Sequence, residues 1–155
     1  MDTYKNETPE IKLRKKNGQL ISTKITGAKA AERFFREIFD AEQLEVREQA
    51  MAIFLNTASQ TIGYFLVSVG GITATIIDQR LLFRAAIECG ATSFLLAHNH
   101  PSGSLEPSDN DIELTKKLVS GGKILGIKFL DHLILTTNGY TSLNDEGLIT
   151  ELNSN

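Results

Sequence analysis

Two imidazoles and a carboxylate fall close together in the middle of this sequence, where a predicted strand gives way to a predicted helix. His98 and His100 follow the apolar run 94–97, which is typical of a buried strand. Side chains two residues apart on a strand point to the same face, so the two imidazoles should lie side by side. A Pro/Gly/Ser-rich segment over 101–107 predicts a loop, and Asp111 lies in the first turn of the helical pattern that follows.

These three side chains are of the types that bind zinc. Neutral imidazole nitrogens and carboxylate oxygens both suit this ion. We therefore predict that His98, His100 and Asp111 bind Zn²⁺. Three protein ligands leave a fourth coordination position for water, an arrangement typical of catalytic rather than structural zinc sites.

The pair Ser108 and Asp111 also has an interpretation that needs no metal. A serine followed three residues later by an acidic side chain forms a capping box, in which both side chains pair with free N–H groups at a helix start. Such a cap does not require two histidines at the preceding strand end. The two roles are compatible, because Ser108 can cap the helix and still present its hydroxyl to the site.

The composition of the chain limits its class and location. Its 155 residues, 41% of them apolar and 23% charged, suit one soluble domain, and a net charge of -3 disfavours a general binder of nucleic acid or membrane surfaces. The first residues are too polar for a signal peptide, and no apolar stretch is long enough to span a bilayer. The single cysteine, Cys89, cannot form an internal disulfide, so we predict a cytoplasmic protein without membrane contacts.

Strand and helix patterns alternate along the chain. Residues 1–25 are predicted to form an N-terminal extension with a hairpin turn at Asn17-Gly18, and residues 26–150 the main domain. This alternation predicts an α/β or α+β domain of three layers, with a mixed sheet flanked by helices. Helices are predicted over 28–40, 79–89 and 109–120, and the last of them is predicted to end at Gly121-Gly122. Strands are predicted over 50–56, 61–69, 92–97 and 131–136, with the first two paired as an antiparallel hairpin. The stretch 124–130 is predicted to be extended, and the last residues are polar.

The spacing of the histidine stretch resembles a known signature. His98-x-His100-Pro101, six residues, Ser108, two residues and Asp111 is similar to the His-x-His-Pro-x6-Ser-x2-Asp pattern of the JAB/MPN metalloenzymes, called the JAMM motif. Within that class the chain resembles the RadC family of bacterial proteins over about 26–148. The residues that carry this second resemblance are Asn99, Ser102-Gly103, Pro107, Asp131-His132 and the segment 78–86.

The resemblance implies a fold, a reaction and a role for each site residue. It implies a JAB/MPN domain, similar in fold to cytidine deaminases, with zinc ligands at His98, His100 and Asp111. It further implies hydrolysis of a peptide or isopeptide bond in an unknown peptide or protein substrate, through a zinc-bound water. Ser108 would donate a hydrogen bond to the developing oxyanion, a role that fits the general value of preorganised donors in such sites.

A zinc hydrolase of this type also needs a general base, which in the family is a glutamate on an earlier strand. We assign this role to Glu48, because it directly precedes the predicted strand 50–56. Glu45 is the nearest rival, followed by Glu42.

Two other functions and one further histidine stay open. RadC proteins usually carry a helix-hairpin-helix region before the JAB domain, and we expect it to be missing here because few residues precede Ala28. One alternative is a RadC-like accessory protein of DNA repair with a structural or vestigial metal site, although the charge does not support DNA association. Another is a scaffold that binds a partner tail by strand addition. His132 is either a hydrogen-bonded structural residue or a contact of the ligands or substrate.

Overall fold

A computed structural model of the protein describes residues 22–71 and 76–154, and these residues form a mixed five-stranded sheet with helices on both faces. The fold class predicted from the sequence is therefore confirmed. The predicted hairpin turn at Asn17-Gly18 lies outside the described residues. The strands are β1 (Gln49–Leu55), β2 (Thr61–Val69), β3 (Ser93–Asn99), β4 (Lys128–Thr136) and β5 (Gly139–Ser142); the helices are α1 (Ala28–Ile38), α2 (Gln79–Glu88), α3 (Asp109–Leu125) and α4 (Leu148–Ser154), with a 3-10 turn at Ala41–Gln43.

The order of the strands brings distant parts of the chain together at one edge of the sheet. That order is β2-β1-β3-β4-β5, with β1 antiparallel to both β2 and β3, and β3 parallel to β4. Ala50 in β1 pairs with His98 in β3, so the start of β1 lies beside the end of β3. Helix α3 forms the crossover between β3 and β4, and its first turn returns to the same edge.

Two apolar cores, one on each face of the sheet, make the fold three layers thick. Helix α1 covers a core that includes Phe35, Ile53 and Leu95, while α2, α3 and α4 cover one that includes Phe94 and Leu118. Strands β1 and β3 are buried on both faces, which explains why both read as continuous apolar runs. Side-chain alternation along β3 directs His98 to the α3 side of the sheet, as it does Leu96.

The prediction that Gly121-Gly122 ends the third helix is wrong. Helix α3 continues to Leu125 and ends at Gly126, whose φ of 69° lies in the left-handed region favoured by glycine. The two earlier glycines are places of close packing instead. A Cβ atom on Gly121 would lie 2.7 Å from the ring of Phe83, and one on Gly122 would lie 2.4 Å from the backbone oxygen of Ile127.

Gly122→Ala should therefore destabilise the protein, although alanine is the better helix former. We expect a loss of about 1–3 kcal/mol in the free energy of unfolding, because the obstructing atom belongs to the backbone that leads into β4. Gly121→Ala is the matched control and should lose less, since the Phe83 ring can turn aside. Urea denaturation of both variants measures the difference, and equal losses would contradict this explanation.

The end of the chain contains a helix that no pattern in the sequence predicted. Helix α4 begins at Leu148, and in it Ile149 is buried at 2% exposure and Leu152 packs against the core beside α2 and α3. The predicted extended stretch 124–130 holds only from Lys128, where β4 begins. Among the described residues, no helix is long and apolar enough to cross a membrane.

Candidate metal centre

The structure brings His98, His100 and Asp111 together at the carboxyl end of β3. His98 is in the strand and almost fully buried, and His100 follows directly after the strand end. Asp111 stands in the first turn of α3, which begins beside this edge of the sheet. One ligand atom from each of the three lies within 4.8 Å of the others, and within the described ranges no other group of this kind is found.

The distances between the donor atoms suit one small cation. His98 Nε2 lies 2.9 Å from His100 Nε2 and 3.2 Å from Asp111 Oδ1, and His100 Nε2 lies 3.5 Å from Asp111 Oδ2. Ligand atoms held tetrahedrally at about 2.0–2.1 Å from zinc are about 3.3 Å apart. The donor types and their spacing therefore fit zinc.

The carboxylate of Asp111 brings a negative charge to the cluster. Burial by itself would raise the pKa of Asp111, but hydrogen bonds with His100 and His98 hold that pKa well below its usual range. The hydrogen bond with Asp111 raises the pKa of His100, against the effect of burial. An ionised carboxylate thus faces two imidazole nitrogens.

Ser108 forms the predicted capping box with Asp111. The Ser108 Oγ accepts a hydrogen bond from the Asp111 N–H at 3.2 Å, and the Ser108 N–H donates to Asp111 Oδ2 at 2.8 Å. The cap holds the carboxylate in the orientation that turns Oδ1 towards His98. The same positions of Ser108 and Asp111 therefore serve both the helix cap and the candidate metal site.

Glu48 lies beside this cluster, directly before β1. Its backbone pairs with Gly70 and Gly71, and its side chain is buried at 8% exposure. Burial raises the pKa of Glu48, while the neighbouring His98 and His100 oppose that rise. Glu48 and Asp111 line the same cleft, of about 210 Å³.

The two rival glutamates lie elsewhere. Glu45 is exposed and accepts a hydrogen bond from the Thr137 hydroxyl at 2.8 Å. Glu42 is exposed in the 3-10 turn that precedes β1. Neither carboxylate lines the cleft that contains Asp111.

Asn99, between the two histidines, has a role that the sequence reasoning missed. Its fully buried side chain accepts a hydrogen bond from the Gln49 N–H at 2.8 Å and donates to the carbonyls of Leu44 at 2.8 Å and Arg47 at 2.9 Å. These bonds tie the segment that carries Glu48 to the strand that carries both histidines. An amide in an otherwise apolar strand was the available signal, because a buried amide needs partners.

His132 contacts one of the candidate ligands. It is fully buried on β4, with Nε2 at 2.8 Å from His98 Nδ1 and Nδ1 at 2.7 Å from Thr115 Oγ1 on α3. The two alternatives for His132 are therefore not exclusive, because the hydrogen-bonded residue is also a ligand contact. Burial lowers the pKa of His132 well below its usual value, which keeps the ring neutral. Nothing in the sequence marked Thr115 as part of the site.

Comparisons with known proteins agree with this fold and motif. A family model described as RadC-like JAB domain matches residues 25–148. The chain is similar to UPF0758 proteins of Flavobacterium johnsoniae, 48% identical over 101 residues, and Desulforamulus reducens, 45% identical over 103 residues. These alignments cover 65% and 66% of this chain but 44% and 45% of the relatives, so the chain spans about half of their length. A UPF0758 protein of Methanosarcina mazei is 42% identical over 103 residues, which is 66% of this chain and 45% of that protein. The chain therefore belongs to the family of RadC-like JAB domains.

Proposed function

We propose that this protein is a zinc-dependent hydrolase that cleaves a peptide or isopeptide bond. The observation that carries the proposal is the convergence of His98 Nε2, His100 Nε2 and the Asp111 carboxylate beside the buried Glu48. His98, His100 and Asp111 would hold the metal. When bound, zinc would polarise the scissile carbonyl and make water a stronger nucleophile.

Glu48 is the residue that would move the proton. Its carboxylate would accept a proton from the attacking water and deliver it to the nitrogen of the leaving group. Burial supports this role, because it raises the pKa of Glu48 and so makes the carboxylate a stronger base.

Ser108 would stabilise the oxygen on which negative charge develops. Its hydroxyl oxygen accepts the Asp111 N–H, and this bond leaves the hydroxyl proton to be donated elsewhere. A preorganised donor of this kind typically contributes about 3 kcal/mol to stabilisation of the transition state.

The cleft is too small to enclose a whole ligand, so it would hold only the reacting part of a longer substrate. At about 210 Å³ it lies below the roughly 300–1,000 Å³ typical of small-molecule pockets. Its walls include Gln79 from α2 and Lys117 from α3, next to Glu48 and Asp111. Side chains of both signs suit the polar backbone of a peptide. We therefore propose a peptide or protein substrate, met in the cytoplasm.

Metal analysis tests the centre directly. Purified protein should contain about one zinc ion per chain, and His98→Ala should retain less than about a tenth of it, because removal of one of three ligands opens the site. Asp109→Ala is the control and should keep its zinc, since Asp109 is exposed in the same helical turn. Protein without zinc after mild purification, or a His98→Ala variant indistinguishable from its parent, would overturn the proposal.

A further inference from the structure

A chain of buried hydrogen bonds runs behind the candidate metal centre, on the side away from the cleft. His98 Nδ1 lies 2.8 Å from His132 Nε2, and His132 Nδ1 lies 2.7 Å from Thr115 Oγ1. Thr115 Oγ1 in turn lies 2.7 Å from the backbone oxygen of Asp111. His132 and Thr115 are both at 0% exposure, so no water can substitute for any of these partners.

The Thr115 hydroxyl has a single proton, and this proton determines which group donates in each of these hydrogen bonds. The backbone oxygen of Asp111 can only accept, so the Thr115 hydroxyl donates its proton there. The Thr115 oxygen must then accept from His132, which places the proton of that imidazole on Nδ1.

The charge state of His132 determines which nitrogen of His98 carries a proton. Neither hydrogen-bond partner of His132 is an anion, and a fully buried imidazolium without an anionic partner is strongly disfavoured. His132 is therefore neutral, and its Nε2 carries a lone pair. His98 Nδ1 must donate to that lone pair, so Nε2, which faces Asp111 and His100, is the nitrogen of His98 that can exchange its hydrogen bond to Asp111 for a metal ion.

We infer that Thr115 and His132 are positioning residues that set the tautomer of His98 and so present its Nε2 as a metal ligand. This inference rests on the proposed zinc site. His100 is oriented in the same way, since its Nδ1 lies 2.8 Å from the backbone oxygen of Ser104. That second contact is open to solvent, where water can replace the carbonyl, whereas the contact behind His98 is sealed. The site should thus depend more on Thr115 than on the loop at Ser104.

Thr115→Val and Thr115→Ser together test the inference. Valine keeps the shape but removes the hydroxyl, which leaves the His132 Nδ1 proton without an acceptor. The proton then moves to Nε2 of His132 and donates to His98, and His98 becomes protonated on the nitrogen that should bind zinc. We expect Thr115→Val to bind zinc about 10–100-fold more weakly in competition with a chelating dye. Thr115→Ser restores the hydroxyl and should bind close to the wild-type level.

Nitrogen-15 NMR of the histidine side chains gives a readout that a purely structural role would not change. Metal-free wild-type protein should show His98 and His132 protonated on Nδ1, and Thr115→Val should shift both towards the Nε2 form. Wild-type His132 protonated on Nε2 would overturn the inference, even if the valine variant did not fold. So would a folded Thr115→Val variant with unchanged zinc affinity.

The same data separate this inference from the proposed function. A wild-type protein that binds no zinc would remove the proposed function, while the NMR spectra would still decide the tautomer of His98. A zinc-loaded wild-type protein without hydrolytic activity would leave the inference standing.

Discussion

Glu48→Gln should reduce hydrolysis by about 10²–10⁴-fold, the typical contribution of a general base. Glutamine keeps the size and hydrogen-bonding ability of the side chain but cannot accept a proton from water. The metal content should stay unchanged, since Glu48 is not one of the three candidate ligands. Initial rates on internally quenched peptides and on peptides joined through a lysine side chain, measured together with zinc content, check this expectation.

Glu45→Gln is the matched control for that experiment. Glu45 lies three residues earlier, and its exposed carboxylate accepts a hydrogen bond from Thr137 outside the cleft. Its substitution should leave the rate close to that of the parent protein. If Glu48→Gln hydrolysed these peptides at the parent's rate, Glu48 would not be the base. If it lost its zinc as well, the fall in rate would not identify a base.

Asn99→Ala should lower the free energy of unfolding by about 3 kcal/mol or more. The substitution leaves the Gln49 N–H and the carbonyls of Leu44 and Arg47 without their partner, and each buried group left unpaired costs about 1–3 kcal/mol. The segment 44–49 should also lose its connection to β3, so folded Asn99→Ala should hydrolyse more slowly while it keeps its zinc. Urea denaturation gives the first effect, and rates with metal analysis give the second.

Asn56→Ala provides the comparison for Asn99. The Asn56 side chain also accepts backbone hydrogen bonds, from Ala58 at 2.9 Å and Gln60 at 3.0 Å, but these bonds are open to solvent. Water can take over both partners, so the loss should stay below about 1 kcal/mol. Equal losses of free energy of unfolding in the two variants would show that burial does not raise the cost of removing the Asn99 hydrogen bonds.

The parts of the site that were predictable from the sequence are local along the chain. The two-residue period of a strand puts His98 and His100 on one side, and the three-residue spacing of a capping box puts Ser108 against Asp111. The hairpin of β1 and β2 was predictable for the same reason, since both strands and their turn are adjacent in sequence. Glu48 was preferred over Glu45 and Glu42 only through its place before a strand and the family resemblance.

Where local patterns compete, the sequence was a poor guide. Two adjacent glycines normally indicate the end of a helix, but Gly121 and Gly122 lie inside α3, at positions where Phe83 and the backbone at Ile127 leave no room for a side chain. Helix α4 was missed because its seven residues are too few to show a clear helical period of apolar side chains. It is held mainly by Ile149 and Leu152 against a core built elsewhere in the chain.

The sequence by itself determined which side chains are available for a zinc site and how each is oriented within its own strand or helix. Only the tertiary structure decided that Asn99 reaches back 50 residues to Gln49 and that His132, 34 residues beyond His98, stands behind that ligand. Those contacts depend on the register of β1, β3 and β4. Burial of both faces of the sheet sets that register, because a shift by one residue would turn the apolar side chains away from their cores.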